Sequence, residues 1–136
     1  MIQAVLDTNV LISALIRDGK PRKLLLEMVR GKADLILSKE ILEEFAEVAA
    51  DQKIRKYVDE EDVAEFLRII CGVAKIIEVR SRFNTVQRDP GDDIILRTAY
   101  DADADFIISG DEHLLSLREF RGIEILTVND FLCSIS

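Results

Sequence analysis

"AVLDTNVLIS" (residues 4–13) sets one acid between two apolar runs. Ala4, Val5 and Leu6 lead into Asp7. Thr8 and Asn9 follow, and Val10, Leu11 and Ile12 resume the apolar pattern at once. An unbroken apolar run ahead of the acid predicts a strand over 2–6 that is buried on both faces, as in the middle of a parallel sheet. The residues after it predict a helix over 9–15. In open parallel sheets the ligand crevice lies beyond the carboxyl ends of the strands, and Asp7 stands at that end.

The pattern repeats outward from this junction. "ADLILS" (33–38), "KIIEV" (75–79), "DFIIS" (105–109) and "IEIL" (123–126) predict further strands. Pro21 fits the first turn of a helix that runs to about Arg30 and stops at Gly31. Ser38 is an N-cap residue for "KEILEEFAEVAA", and 59–74 is amphipathic, with Val63, Phe66, Leu67 and Ile70 at helical spacing. "DQKIRKY" (51–57) reads as a basic connection or a frayed helix end. Residues 80–92 read as a loop ending in a Pro-Gly turn, 93–103 and 110–117 as helices, and "TVNDFLCS" as a closing helical turn. Strands alternating with helices imply an α/β protein, a three-layer α/β/α sandwich around a central, mainly parallel sheet. No glycine-rich phosphate loop follows any strand, which excludes Rossmann- or Walker-type nucleotide binding.

The length, 136 residues, suits a single domain over 1–136 with one core. Neither a secretory leader nor an apolar run long enough for a membrane is expected, and the expected location is cytoplasmic. Cys71 and Cys133 are far apart and unpatterned, so they are expected to be buried free thiols. A net charge of −8 argues against binding nucleic acid by overall charge, although acids gathered in one place leave basic residues free elsewhere.

Asp7 and Asp111 both follow strands, so both fall beside the crevice if those strands are neighbours. On the helix after Ser38, Ile41, Leu42, Phe45, Val48 and Ala49 form an apolar arc, and Glu44 is the acid nearest to it. Asp93 opens the helix after "DPGD" and can project into the same region. Taken singly, each acid also suits a cap, a turn or a solvated helix face.

In order, these segments resemble those of PIN domains. "VLDTNVLIS" is similar to the opening motif, "LSKEILEEFAEV" to the second segment with its acid at Glu44, and "RDPGDDIILRTAYDADADFIISGDEHLL" to the third and fourth, with acids at Asp93 and Asp111. Asp93 is preferred to Asp92 on spacing. The resemblance implies a Rossmann-like sandwich and a Mg²⁺- or Mn²⁺-dependent ribonuclease with one or two ions at Asp7, Glu44, Asp93 and Asp111. It also implies supporting roles for Asn9 and Ser109, a homodimer, and an antitoxin partner of the kind that small prokaryotic members have.

The donor set points the same way. Clustered carboxylates repel, and a hard divalent cation taking oxygen ligands relieves the repulsion. His113 is expected to be an ordinary first-turn helix residue, so zinc is not indicated. The expected reaction is hydrolysis of an RNA phosphodiester to a 5′-phosphate and a 3′-hydroxyl. For the RNA backbone the sequence offers Lys53, Arg55, Lys56, Arg80, Arg82 and Arg88, with Tyr57 and Phe83 as stacking surfaces. Two rivals are a catalytically weak PIN-fold module that binds RNA or protein, and a Mg²⁺-binding receiver-type signalling domain. The latter lacks an acidic pair at Asp7 and a lysine after "IEIL".

Overall fold

The computed structural model describes residues 1–83 and 90–135. The chain begins with β1 (Gln3–Leu6), α1 (Thr8–Ile16), α2 (Lys20–Val29), β2 (Asp34–Ser38), α3 (Lys39–Ala49), α4 (Gln52–Arg55), α5 (Glu60–Val73) and β3 (Lys75–Ile77). It continues with α6 (Pro90–Asp101), β4 (Phe106–Ile108), α7 (Glu112–Leu117), β5 (Glu119–Phe120), β6 (Ile123–Leu126) and α8 (Val128–Ile135).

The sheet order is β3-β2-β1-β4-β6-β5, parallel throughout except for β5. Helices flank it in an α/β/α sandwich, with α6 packed across β1, β2 and β4. The strand order reverses at β1, whose neighbours are β2 and β4, so a crevice opens beyond the carboxyl ends of β1 and β4. Receiver-type folds follow the order 2-1-3-4-5, which this sheet does not have. Ala4, Val5, Leu6, Leu35, Ile36, Leu37, Ile107 and Ile108 are all buried, as unbroken apolar strands in a covered parallel sheet require.

Local chemistry sets most helix ends. Arg22 donates to the carbonyls of Ala14 (2.8 Å) and Leu15 (2.9 Å), satisfying the end of α1 and turning the chain into α2. Gly31 stops α2 with φ of 87°, a conformation that glycine adopts without steric cost. Asp59 and Asp62 form a reciprocal capping box at the start of α5.

Three sequence expectations need correction. The helix expected from residue 93 begins at Pro90, whose fixed φ and missing N–H suit a first turn. β5 was not expected. It pairs antiparallel with β6 through Arg121 and Gly122, both at positive φ (50° and 86°), which is the pattern of a primed hairpin turn. Cys71 and Cys133 are exposed on α5 and α8 and not buried.

Two fully buried hydroxyls tie α3 to α6. Thr98 Oγ1 donates to the carbonyl of Ile94 (2.8 Å), so Ser38 Oγ, 2.8 Å away, must donate to Thr98. Ser38 Oγ in turn accepts from the Ile41 amide as the N-cap of α3. Thr98→Val keeps the shape but leaves the Ser38 hydroxyl without its acceptor. It should cost about 1–3 kcal/mol in urea unfolding, and Thr98→Ser should cost less. Equal stability of the two variants would count against this link.

Candidate metal centre

The crevice beyond β1 and β4 holds a cluster of carboxylates. The Asp7 amide makes the last rung between the two strands, donating to Ile108 O at 3.0 Å. One residue after that carbonyl, Ser109 donates its amide to Leu126 O (3.0 Å), which ties β4 to β6. Asp7 also caps α1, and its Oδ1 accepts from the Asn9 amide at 3.5 Å. Asp111 caps α7 in the same way, accepting from the His113 amide at 2.8 Å. Each acid is therefore held by the helix that it starts.

Ser109 connects the two. Its Oγ accepts from the Asp111 amide (2.9 Å) and donates to Asp7 Oδ2 (2.7 Å). The amide has no choice but to donate, so the hydroxyl proton is directed at Asp7. Asn9 also supports Asp7, but through its backbone, and its side chain is exposed.

The third acid comes from the first turn of α6. Carboxylate oxygens of Asp7, Asp92 and Asp111 lie within 4.8 Å of one another, and Asp7 and Asp92 are only 5% and 4% exposed. The preference for Asp93 thus differs from what the geometry brings together. Asp93 is buried in the same turn but lies outside this group, because neighbouring residues on a helix point about 100° apart. The signal for Asp92 lies in the apolar spacing: Ile95, Leu96 and Ala99, all buried, stand three, four and seven residues after it, on the same helix face. Glu44 is half-buried on α3 and lines a shallow groove with Gly91 and Ile94 of α6, outside the three-acid group.

The basic candidates are not gathered here. Lys53, Arg55 and Lys56 lie on or just after α4, beyond the far end of α3, and Arg55 pairs with Glu60 at 3.9 Å. The amides of Arg80 and Ser81 donate to Asp101, at the opposite end of α6 from Asp92, about 13 Å along the helix. Arg82 is exposed in the same segment, and Arg88 lies outside the described residues. Phe83 packs against Tyr100, Phe120 and the Arg121 guanidinium, which stands 4.4 Å from its ring centre, so its ring is already engaged. Tyr57 is 66% exposed. His113 is an exposed residue of the first turn of α7, as expected.

Burial, and more weakly the charge of Asp111, pushes the Asp7 carboxyl above its ordinary value of 3.8, against hydrogen bonds from Ser109, Asn9 and Thr8 that lower it. The donor set is all carboxylate oxygen, which suits a hard divalent cation such as Mg²⁺ or Mn²⁺.

This chain is thus an α/β/α protein with an acidic centre at the strand-order reversal. Residues 3–113 match the family described as PIN domain, and the chain belongs to that family. It is 38% identical over 120 residues to the uncharacterized protein MJ1680 of Methanocaldococcus jannaschii, covering 87% of this chain and 76% of that protein. Its fold is similar to a chain in the crystal structure of VapBC2 from Rickettsia felis bound to a DNA fragment from their promoter. That match has a TM-score of 0.63 and 12% identity, over 93% of this chain and 98% of the other. Among the described residues no helix is long and apolar enough to cross a membrane.

In the metal-free protein, Asp7 releases its proton at higher pH when folded than when unfolded. The folded state then binds more protons between the two values, so stability falls as pH rises from about 3.8 through the folded value. Asp7→Asn should therefore raise the melting temperature at neutral pH without metal, and the gain should vanish below the unfolded value. A variant less stable than wild type at neutral pH would show that this strain is absent.

Proposed function

We propose that this protein is a Mg²⁺- or Mn²⁺-dependent endoribonuclease, cleaving RNA to a 5′-phosphate and a 3′-hydroxyl. The reading extends to a single domain over 1–136, a cytoplasmic homodimer, and the toxin of a toxin–antitoxin pair. One observation carries the nuclease reading: three carboxylates from three separate elements converge within 4.8 Å, two of them buried. Two unit charges about 4 Å apart repel by about 4 kcal/mol at an effective dielectric near 20, a cost that a divalent cation removes. The toxin part rests on the segment resemblance and on the fold shared with VapBC2.

In this reading Asp7, Asp92 and Asp111 hold the ion, and Glu44 supplies a fourth acid from the groove beside the first turn of α6. The chemistry supplied by such an ion is polarisation of a phosphoryl oxygen and acidification of the attacking water. Ser109 keeps Asp7 oriented through its hydroxyl, and the caps of α1 and α7 hold Asp7 and Asp111. These groups are set before substrate arrives, so little reorganisation is left for the reaction itself.

Purified protein should cleave RNA in Mg²⁺ or Mn²⁺ and stop in EDTA. Saturating metal should raise its melting temperature. Asp92→Asn should lower cleavage by more than about a hundredfold and abolish the metal-induced rise, whereas Asp93→Asn should keep a measurable rise. Cleavage that survives EDTA, or an undiminished rise in Asp92→Asn, would overturn the reading.

A further inference from the structure

Beside the three acids lies a cleft of about 570 Å³, within the range of roughly 300–1,000 Å³ common for ligand sites. It is lined by α1, the start of α2, residues 109–111 and the turn from β6 into α8. The acidic centre and the cleft therefore share Asp111. A second cleft of the same volume, between α1, α2 and α5, is lined by none of the three clustered aspartates.

The lining has two characters. Val10, Pro21 and Val128 supply apolar surface. Lys20, Asn129 and Asn9 supply polar groups at the exposed rim, where Lys20 Nζ donates to Asn129 Oδ1 at 2.5 Å. The ammonium is a positive charge on the rim of a cleft that also reaches Asp111 of the acidic centre. An amide acceptor holds it in place without neutralising it, so its charge stays available to an anion.

We propose that this cleft is the subsite for the nucleotide adjoining the scissile phosphate. Lys20 receives that nucleotide's backbone phosphate, and the apolar wall receives its sugar and base. The inference rests on the nuclease reading and deepens it. The chemistry is that of single-stranded RNA: a phosphate needs a cation, a base face needs an apolar surface, and a base edge needs amides such as Asn9 and Asn129. Lys20 stands among Arg17, Arg22 and Lys23 in "RDGKPRK", and nothing in that stretch ties it to Asp111 without the tertiary structure.

The test measures binding of a fluorescein-labelled single-stranded RNA oligonucleotide across a salt series. All variants carry Asp92→Asn, which leaves the cleft lining intact. Lys20→Ala should weaken binding about three- to tenfold and lower the salt slope by about 0.7, the value for one lost phosphate contact on a single strand. Lys20→Arg should keep both affinity and slope. Lys75→Ala removes the same charge from the start of β3, where Lys75 pairs with Asp34, and should leave the slope unchanged. An unchanged slope in Lys20→Ala, or an equal loss in Lys75→Ala, overturns the subsite. Cleavage by the chain with native Asp92 is measured separately. Its absence alongside Lys20-dependent binding would reject the nuclease reading while the cleft kept its ligand.

Discussion

The structure depends on a carboxylate that the core does not let go. Asp7 is the residue at which β1 ends, the last rung to β4 is made and α1 begins. Its backbone is committed to the sheet and its side chain to the helix cap, so it cannot swing away from Asp111 or Asp92 to relieve repulsion. Ser109 removes the remaining freedom by aiming its hydroxyl proton at Asp7 while its own oxygen is occupied by the Asp111 amide. Charge that would disperse on a flexible surface is held together here by a packed apolar sheet.

That arrangement follows from topology as much as from side chains. β1 is flanked by β2 on one side and β4 on the other, and at this reversal the connections leave the sheet in opposite directions. Asp7 and Asp111 emerge from adjacent strands, and α6, lying across β1, β2 and β4, brings Asp92 to them from outside the sheet. The hydroxyl link between Ser38 and Thr98 joins α6 to the start of α3, so the helix carrying Asp92 is anchored within the core. The same topology puts Lys20 and Asp111 on one cleft, and leaves Lys53, Arg55 and Lys56 beyond the far end of α3 and Arg80 beside the far end of α6.

The parts legible in the sequence were those whose geometry is local. An apolar run, an acid and an N-cap pattern occupy consecutive residues, so Asp7 with α1 and Ser38 with α3 could be read directly. Asp111 and Ser109 followed because a strand exit fixes what stands one to three residues beyond it. The choice of Asp93 over Asp92 turned on spacing alone, whereas which of two neighbouring acids faces the crevice depends on the rotation of α6 against the sheet. β5 was missed because two residues and an Arg-Gly turn carry little pattern of their own.

By itself the sequence determined the alternation of buried strands and helices, the sandwich it implies, and the acid at the end of the first strand. Apolar periodicity and capping act over a few residues and need no knowledge of distant partners. Only the tertiary structure decided which acids meet, that α6 contributes Asp92, and that Phe83 is spent on Arg121 and two other rings. It alone decided that Lys20 shares a cleft with Asp111. Those facts depend on strand order and helix rotation, which arise from contacts between residues as much as a hundred positions apart, as in the bond from Ser109 to Asp7 with a separation of 102.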